Sequence, residues 1–121
     1  MVRIFKDLEF ARAAKKARIP DVALREAAVE ADQGLVDAYL GGECIKKRIP
    51  RVGGGKRDGF RTILAFRRGE RAIFIHIFAK NSIENVSKAD LADLKIYAET
   101  LLGLTERGLE IAVGSGALIE I

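Results

Sequence analysis

Lysine and arginine side chains are concentrated in one stretch of the sequence, residues 46–80, called the basic block below. It holds eleven Lys or Arg and two acidic residues, Asp58 and Glu70, whereas the other 86 residues carry ten basic and fifteen acidic groups. The formal net charge of +4 therefore combines a local charge of +9 with a remainder of −5. Such a block attracts polyanions and contacts phosphates by displacing condensed counterions. The residue types thus indicate phosphate chemistry and a nucleic-acid partner.

The basic block also contains His76, the single histidine of the chain. An imidazole exchanges protons near neutral pH without a large pKa shift, so His76 is a candidate general acid or base. The alternative is a packed, hydrogen-bonded core histidine. The cations alternate with β-branched and aromatic residues, which is typical of a charged surface on a folded sheet and not of a disordered basic tail.

Other kinds of chemical site are not predicted. With one cysteine, Cys44, and one histidine, an internal disulfide and a Cys/His zinc site are excluded, and no metal or other cofactor is expected. We interpret Cys44 as a small apolar strand residue. The run Gly53-Gly54-Gly55-Lys56 resembles a phosphate-binding loop, but it lacks the second glycine spacing and the Ser or Thr after the lysine.

Length and composition predict a single domain spanning residues 1–121. Hydrophobic residues make up 49% and charged residues 31% of the 121 residues, which is ordinary for a globular protein. No apolar run approaches the roughly 18 to 20 residues of a membrane-spanning helix, and the first residues lack the apolar core of a secretory signal. We therefore expect a cytoplasmic protein without a membrane partner.

The first third of the sequence predicts a strand followed by a helical hairpin. Val2–Lys6 can form the strand, and Asp7 can cap the first helix by accepting amide hydrogens of its first turn. Pro20 and Asp21 start a second helix, which Gly34 ends.

The middle of the chain predicts three antiparallel strands: Glu43–Pro50, Phe60–Arg67 and Ala72–Ala79. Strict alternation of side chains places Lys46 and Arg48 on one face and Lys47 on the other. In the last strand it places Ile73, Ile75 and Ile77 opposite Phe74, His76, Phe78 and Lys80.

The last third predicts two helices, the first capped by Ser87 and the second starting at Thr105, and a small terminal strand or hook after Gly116. The first of these helices carries an apolar stripe of Leu91, Leu94, Tyr97, Ala98, Leu101 and Leu102, which we interpret as core packing. The predicted fold is α+β, a small antiparallel sheet with an N-terminal helical hairpin and C-terminal helices packed against it.

Five segments occur in the order found in the core of RelE/ParE-superfamily toxins of bacterial toxin–antitoxin pairs, which the chain resembles. The segments are Ile45–Ile49, Gly55–Ile63, Arg67–Ala72, Phe78–Lys80 and Asn85–Ser87. The helical segments before and after agree in order and length, so the resemblance covers nearly the whole chain. Within the superfamily, the chain most resembles the HigB-like branch of RelE toxins.

The resemblance implies a ribosome-dependent, metal-independent endoribonuclease that cuts mRNA in the decoding site. In such enzymes the ribose 2′-hydroxyl attacks the adjacent phosphate. That step needs a base, cations for the extra charge on phosphorus, and an acid for the leaving oxygen. The implied partners are the ribosome, its mRNA and a cognate helix-turn-helix antitoxin, while the oligomeric state stays open.

The resemblance also assigns roles to residues. Arg61 matches the arginine that stabilises the pentavalent phosphate, and Lys80 matches a charge stabiliser or acid. Lys56 is a base or phosphate clamp in the Gly-rich loop, and His76 stands where relatives often carry Tyr. The catalytic candidates are Arg61, Lys80, Lys56 and His76, and the RNA- or ribosome-binding candidates are Lys46, Lys47, Arg48, Arg51 and Arg57.

Two other functions stay open from the sequence. A ParE-like toxin would inhibit DNA gyrase by binding, without nuclease chemistry, and a basic binding module would only dock RNA or ribosomes. Phosphate contacts alone cannot separate these functions, because they supply affinity without specifying chemistry. The dense set of cations around Arg61 and Lys80 favours the nuclease.

Overall fold

The computed structural model describes residues 1–50, 59–79 and 86–121. The elements follow the order β1 (Arg3–Asp7), α1 (Leu8–Lys16), α2 (Asp21–Asp32), β2 (Ala38–Gly41), β3 (Cys44–Ile49), β4 (Phe60–Arg67), β5 (Arg71–Ala79), α3 (Lys88–Leu102), α4 (Glu106–Ser115) and β6 (Leu118–Glu120). The predicted α+β class is confirmed. Strand β2 was not predicted, because its four residues are too few for a clear alternating pattern.

The strands form one sheet in the order β2-β3-β4-β5-β1-β6. Neighbouring strands are antiparallel except β1 and β5, which pair in parallel from Arg3↔Arg71 to Lys6↔Phe74. The prediction of a purely antiparallel sheet is wrong at this pair. A parallel pair needs a long connection, and the chain between β1 and β5 supplies one.

Apolar residues fill both faces of the sheet. On one face Leu64, Phe66 and Phe74 contact residues of α1 and α2, including Phe10 and Leu24. The rings of Phe10 and Phe74 lie 5.2 Å apart. The other face packs against α3 and α4; its buried residues are Phe5, Cys44, Ile63, Ala65, Ile73, Ile75, Ala98, Leu101, Leu102, Leu109 and Leu118. The second face is called the α3 face below.

Side-chain caps fix where three helices begin. The carboxylate of Asp7 accepts from Phe10 N at 2.7 Å, Ser87 Oγ accepts from Asp90 N at 3.1 Å, and Thr105 Oγ1 accepts from Gly108 N at 3.0 Å. The caps at Asp7 and Ser87 were predicted from the sequence, and Thr105 was predicted as the start of its helix. Among the helices of the described ranges, none is long and apolar enough to cross a membrane.

Strand β5 contains a bulge that changes which side chains share a face. Ile63 pairs with His76 and Leu64 pairs with Phe74, so Ile75 is an extra residue in β5. As a result, both Ile75 and His76 lie on the α3 face, while Phe74 and Ile77 belong to the opposite core. The predicted strict alternation is therefore wrong: His76 and Phe78 do share a face, as predicted, but it is the face of Ile73 and Ile75 and not that of Phe74.

Gly59 permits a close approach of β3 and β4 at the end of the sheet that carries Arg61. A Cβ atom on this buried glycine would overlap the carbonyl oxygen of Ile49, which pairs with Phe60 in the next register position. The overlap is with backbone, so no side-chain rotation relieves it. Glycine is thus required here by space, two residues before Arg61.

We expect Gly59→Ala to lower the free energy of unfolding by about 2 kcal/mol or more, because the two strands must separate to admit the methyl group. Urea unfolding measures the change. Gly114→Ala is the matched control: its Cβ would meet open space within α4, and alanine favours helix over glycine by up to about 1 kcal/mol. Equal stability of Gly59→Ala and the wild type would contradict the close approach.

Candidate phosphate-binding site

Cross-strand pairing brings the candidate site residues into two neighbouring rows. One row runs Lys46–Ile63–His76 across β3, β4 and β5, and the next runs Arg48–Arg61–Phe78. Directly paired residues project from the same side of a sheet. Because Ile63 and Phe78 contact the α3 core, both rows lie on the α3 face. Lys46, Arg48, Arg61 and His76 together are called the basic face below.

The ring of Phe78 lies near both a cation and the imidazole of the basic face. Its centroid is 5.9 Å from that of His76, with the two rings tilted by 38°. Lys46 Nζ lies 6.0 Å from the same centroid, at the outer limit of a cation–π contact. An aromatic side chain between cations is also a surface on which a nucleobase can stack.

The cations of the basic face are accessible, and their charge is not neutralised by acidic side chains of the described residues. Arg48 is exposed, and Lys46, Arg61 and His76 are half-buried. Within residues 1–50, 59–79 and 86–121, none of the four belongs to an ion pair. Three cationic side chains on two adjacent rows can therefore contact an incoming phosphate without first giving up an acidic partner from those ranges.

Lys47 points to the opposite side of the sheet and is buried, with 4% of its surface exposed. Its Nζ lies 2.9 Å from Glu30 Oε1 and donates to the carbonyl oxygen of Leu35 at 2.8 Å. Lys47 therefore has almost no accessible surface for the contact with RNA or the ribosome that the sequence predicted. The predicted opposition of Lys47 to Lys46 and Arg48 is correct, and the buried side chain ties β3 to α2.

Two further arginines of the basic block hold the end of α3. Arg67 forms two hydrogen bonds with Glu43, at 2.8 and 2.9 Å, and donates to Leu102 O at 3.3 Å. Arg71 donates to the carbonyl oxygens of Leu101 and Leu104 at 3.2 and 2.8 Å. Cations stabilise the carbonyl end of a helix, so these two arginines serve the fold and not the basic face.

A cleft of about 480 Å³ adjoins the basic face at His76. It is lined by Asp7, Leu8, Glu9, Ile75, His76, Leu94, Tyr97 and Ala117. The Tyr97 hydroxyl donates to Asp7 Oδ2 at 2.9 Å, so α3 is joined to the residue that caps α1. His76 thus lies between the cations of β3 and β4 and a pair of acidic residues at the end of β1.

Burial raises the pKa of Asp7 above its usual range. The hydrogen bonds from Phe10 N and Tyr97, and the nearby His76, act in the opposite direction and favour the carboxylate. The pKa of Tyr97 is raised as well, through burial and the adjacent Asp7 carboxylate. Tyr97 therefore stays a neutral hydrogen-bond donor at physiological pH.

Four candidates lie outside the described residues: Arg51, Lys56, Arg57 and Lys80. Conversely, the sequence reasoning missed the cleft. It identified Asp7 only as a helix cap and Tyr97 only as part of an apolar stripe. No spacing rule relates residues 7, 76 and 97, because the contact arises from the parallel pairing of β1 with β5. Across the described ranges, no group of three or more His, Cys, Asp or Glu side chains is arranged to hold a metal ion.

Comparison with known families is in line with this geometry. Residues 2–121 match the family described as the RelE toxin of the RelE/RelB toxin–antitoxin system. The match covers nearly the whole chain, so the chain belongs to the RelE toxin family. No curated protein matches the sequence. The family assignment makes the chain a toxin of a toxin–antitoxin system, with an antitoxin as partner.

We expect Lys47→Ala to lower the free energy of unfolding by about 2 kcal/mol, because it removes a buried ion-pair partner and a donor to Leu35 O. Lys46→Ala, one residue away on the basic face, should change stability by less than about 0.5 kcal/mol. Urea unfolding of the two variants makes the comparison. Similar losses for both would contradict the different environments of these neighbouring lysines.

We expect the stability cost of Tyr97→Phe to depend on pH. The folded-state pKa of Asp7 is raised, so its ionisation disfavours folding, and stability falls as the pH rises from the ordinary value of 3.8 through the folded pKa. Removing the Tyr97 hydroxyl raises the pKa of Asp7 further. The variant should therefore lose about 1 kcal/mol at neutral pH and less in acid.

Asp7→Asn is the control for this experiment, because asparagine still caps a helix but does not titrate. Tyr97→Phe made in the Asp7→Asn background should lose the same free energy of unfolding at pH 4 and at pH 7. A pH-independent loss for Tyr97→Phe alone would show that Asp7 does not respond to the hydroxyl.

Proposed function

We propose that this toxin is a ribosome-dependent, metal-independent endoribonuclease of the HigB-like branch, which cuts mRNA and so blocks translation. The observation that carries the proposal is the basic face: Lys46, Arg48 and Arg61 lie beside His76 on adjacent rows of the sheet. Membership of the RelE family supports the same function. Binding alone would require cations but no proton-transfer group among them.

In the proposed reaction the ribose 2′-hydroxyl attacks the neighbouring phosphorus atom. The bond to the 5′-oxygen of the next nucleotide breaks, which leaves a cyclic phosphate and a free 5′-hydroxyl. Negative charge increases on the two non-bridging oxygens in the transition state. Arg61 is the group we assign to these oxygens, because a planar guanidinium can donate to both at once. Lys46 and Arg48 hold the same or an adjacent phosphate.

His76 is our candidate for proton transfer. It lies one row from Arg61 and is half-buried beside Phe78, so it is held in place but reachable. An imidazole can accept the 2′-hydroxyl proton or donate one to the leaving oxygen. Lys56 and Lys80 stay in the proposal on the resemblance to relatives, as clamp or base and as charge stabiliser or acid.

In the proposed reaction, the ribosome positions the mRNA substrate. Ribonucleases of this chemistry that act alone commonly use two histidines, and this chain has one. Holding the RNA in a reactive geometry removes a large part of the activation barrier to cleavage, and a bound ribosome supplies that geometry. Cations of the protein take the electrostatic role, so the proposed reaction needs no metal ion. The proposed antitoxin is a helix-turn-helix protein that keeps the basic face from the ribosome.

We expect Arg61→Ala to cut ribosome-bound mRNA roughly 10² to 10³ times more slowly than the wild-type chain, because one transition-state contact is lost. Cleavage is measured with purified ribosomes programmed with a defined mRNA. Arg68→Ala is the matched control, since it removes the same charge from an exposed turn at the other end of β4. It should cut at the wild-type rate.

Three outcomes would contradict the proposal. Full activity of Arg61→Ala would remove Arg61 from the site. If the wild-type chain leaves mRNA intact but inhibits supercoiling by purified DNA gyrase, the ParE-like function replaces the nuclease. Binding to ribosomes without either effect would leave only a docking module.

A further inference from the structure

The cleft beside His76 has the chemical character of a small-molecule pocket. Its apolar wall is formed by Leu8, Ile75, Leu94 and Ala117, and polar groups of Asp7, Glu9, His76 and Tyr97 stand among them. Concave sites with an apolar lining and a few convergent polar groups are the usual receptors of planar ligands. The volume of about 480 Å³ is ample for one nucleobase.

The cleft and the basic face differ in charge sign. Lys46, Arg48 and Arg61 provide positive charge on β3 and β4, whereas Asp7 and Glu9 provide negative charge at the end of β1 and the start of α1. A phosphate is attracted to the first region and repelled by the second. A nucleotide is complementary to these two regions: its anionic phosphate suits the positive region, and its neutral base, which has hydrogen-bond donors, suits the negative one.

The spacing allows one nucleotide to reach both regions. Strands β4, β5 and β1 are consecutive neighbours in the sheet. Two strand spacings amount to about 10 Å across the sheet, and the cleft lies one register row, roughly 7 Å, further along the strands from Arg61. His76 belongs to both regions, since it pairs with Ile63 of the Lys46 row and lines the cleft. When a phosphate is bound by Arg61, an unstacked base of the adjacent nucleotide can therefore enter the cleft.

We propose that this cleft receives the nucleobase next to the scissile phosphate and selects bases that carry an exocyclic amino group over uracil. The inference rests on the proposed endonuclease function. Single-stranded RNA is commonly read in this way, by unstacked bases that contact aromatic and polar side chains at their hydrogen-bonding edges. Phe78 and Tyr97 supply aromatic surface on the two sides of His76.

Glu9 is the residue that we assign to this selection. Both carboxylate oxygens of Asp7 already accept a hydrogen bond, from Phe10 N and from the Tyr97 hydroxyl. Glu9 is exposed, and within the described ranges it makes no ion pair. An ionised carboxylate only accepts hydrogen bonds. It therefore favours the amino groups of adenine, cytosine and guanine, and is repelled by the carbonyl oxygens of uracil.

The test uses ribosomes programmed with mRNAs in which each position of the decoding codon is randomised. Cleaved ends are sequenced for the wild-type chain, Glu9→Gln and Glu99→Gln. We expect the wild type to disfavour uracil about fivefold or more at one fixed position beside the cut. Glu9→Gln should lose most of that discrimination, because an amide also donates to a carbonyl. Glu99→Gln removes an exposed carboxylate of α3 outside the cleft and should keep it.

The result separates this inference from the function on which it rests. Cutting by the wild-type chain with no base preference at any fixed position would overturn the inference and leave the endonuclease in place. The same holds if Glu9→Gln and the wild type discriminate equally. Absence of cutting by the wild type overturns the endonuclease itself, and the proposed base selection with it.

Discussion

The bulge at Ile75 is the constraint on which the arrangement of the basic face depends. Strand β5 must place Phe74 against α1 and α2, and the same strand must place His76 beside Arg61 and Lys46. Under strict alternation, residues two positions apart such as Phe74 and His76 would lie on the same face of the sheet. These two residues lie on opposite faces. One extra residue changes the phase of the strand between them. The sheet thus keeps Phe74 in the core under α1 and α2 and places His76 on the α3 face, beside the accessible cations.

The cations of the basic block have two different roles, which its net charge does not reveal. Lys47, Arg67 and Arg71 are committed to Glu30, Glu43 and backbone carbonyl groups. Their role is to fasten α2 and α3 to the sheet. Arg48 follows Lys47 on β3 but lies on the opposite face. Arg61 lies on β4 at the opposite end from Arg67. Neighbours in the sequence therefore differ in function according to the side of the sheet that they occupy.

Local sequence signals predicted the helix starts and the strand runs well. The caps at Asp7, Ser87 and Thr105 depend on residues three positions apart, so a local rule finds them. The parallel pairing of β1 with β5, the bulge at Ile75 and the burial of Lys47 depend on partners far along the chain. These long-range pairings decide which cations are accessible. The cleft could not be predicted for the same reason, since it is formed by residues 7 to 9, 75, 76, 94, 97 and 117.

The position of β1 in the sheet has a consequence for when the protein can fold. This strand lies between β5 and β6, and Arg3 bonds to Glu120, which is 117 positions away in the sequence. Pairing of such distant segments carries a large loop-closure entropy and slows folding. During synthesis, β1 leaves the ribosome first but gains its second neighbour only after residue 120 has emerged. The complete sheet therefore forms after the ribosome that made the chain has finished translating these residues.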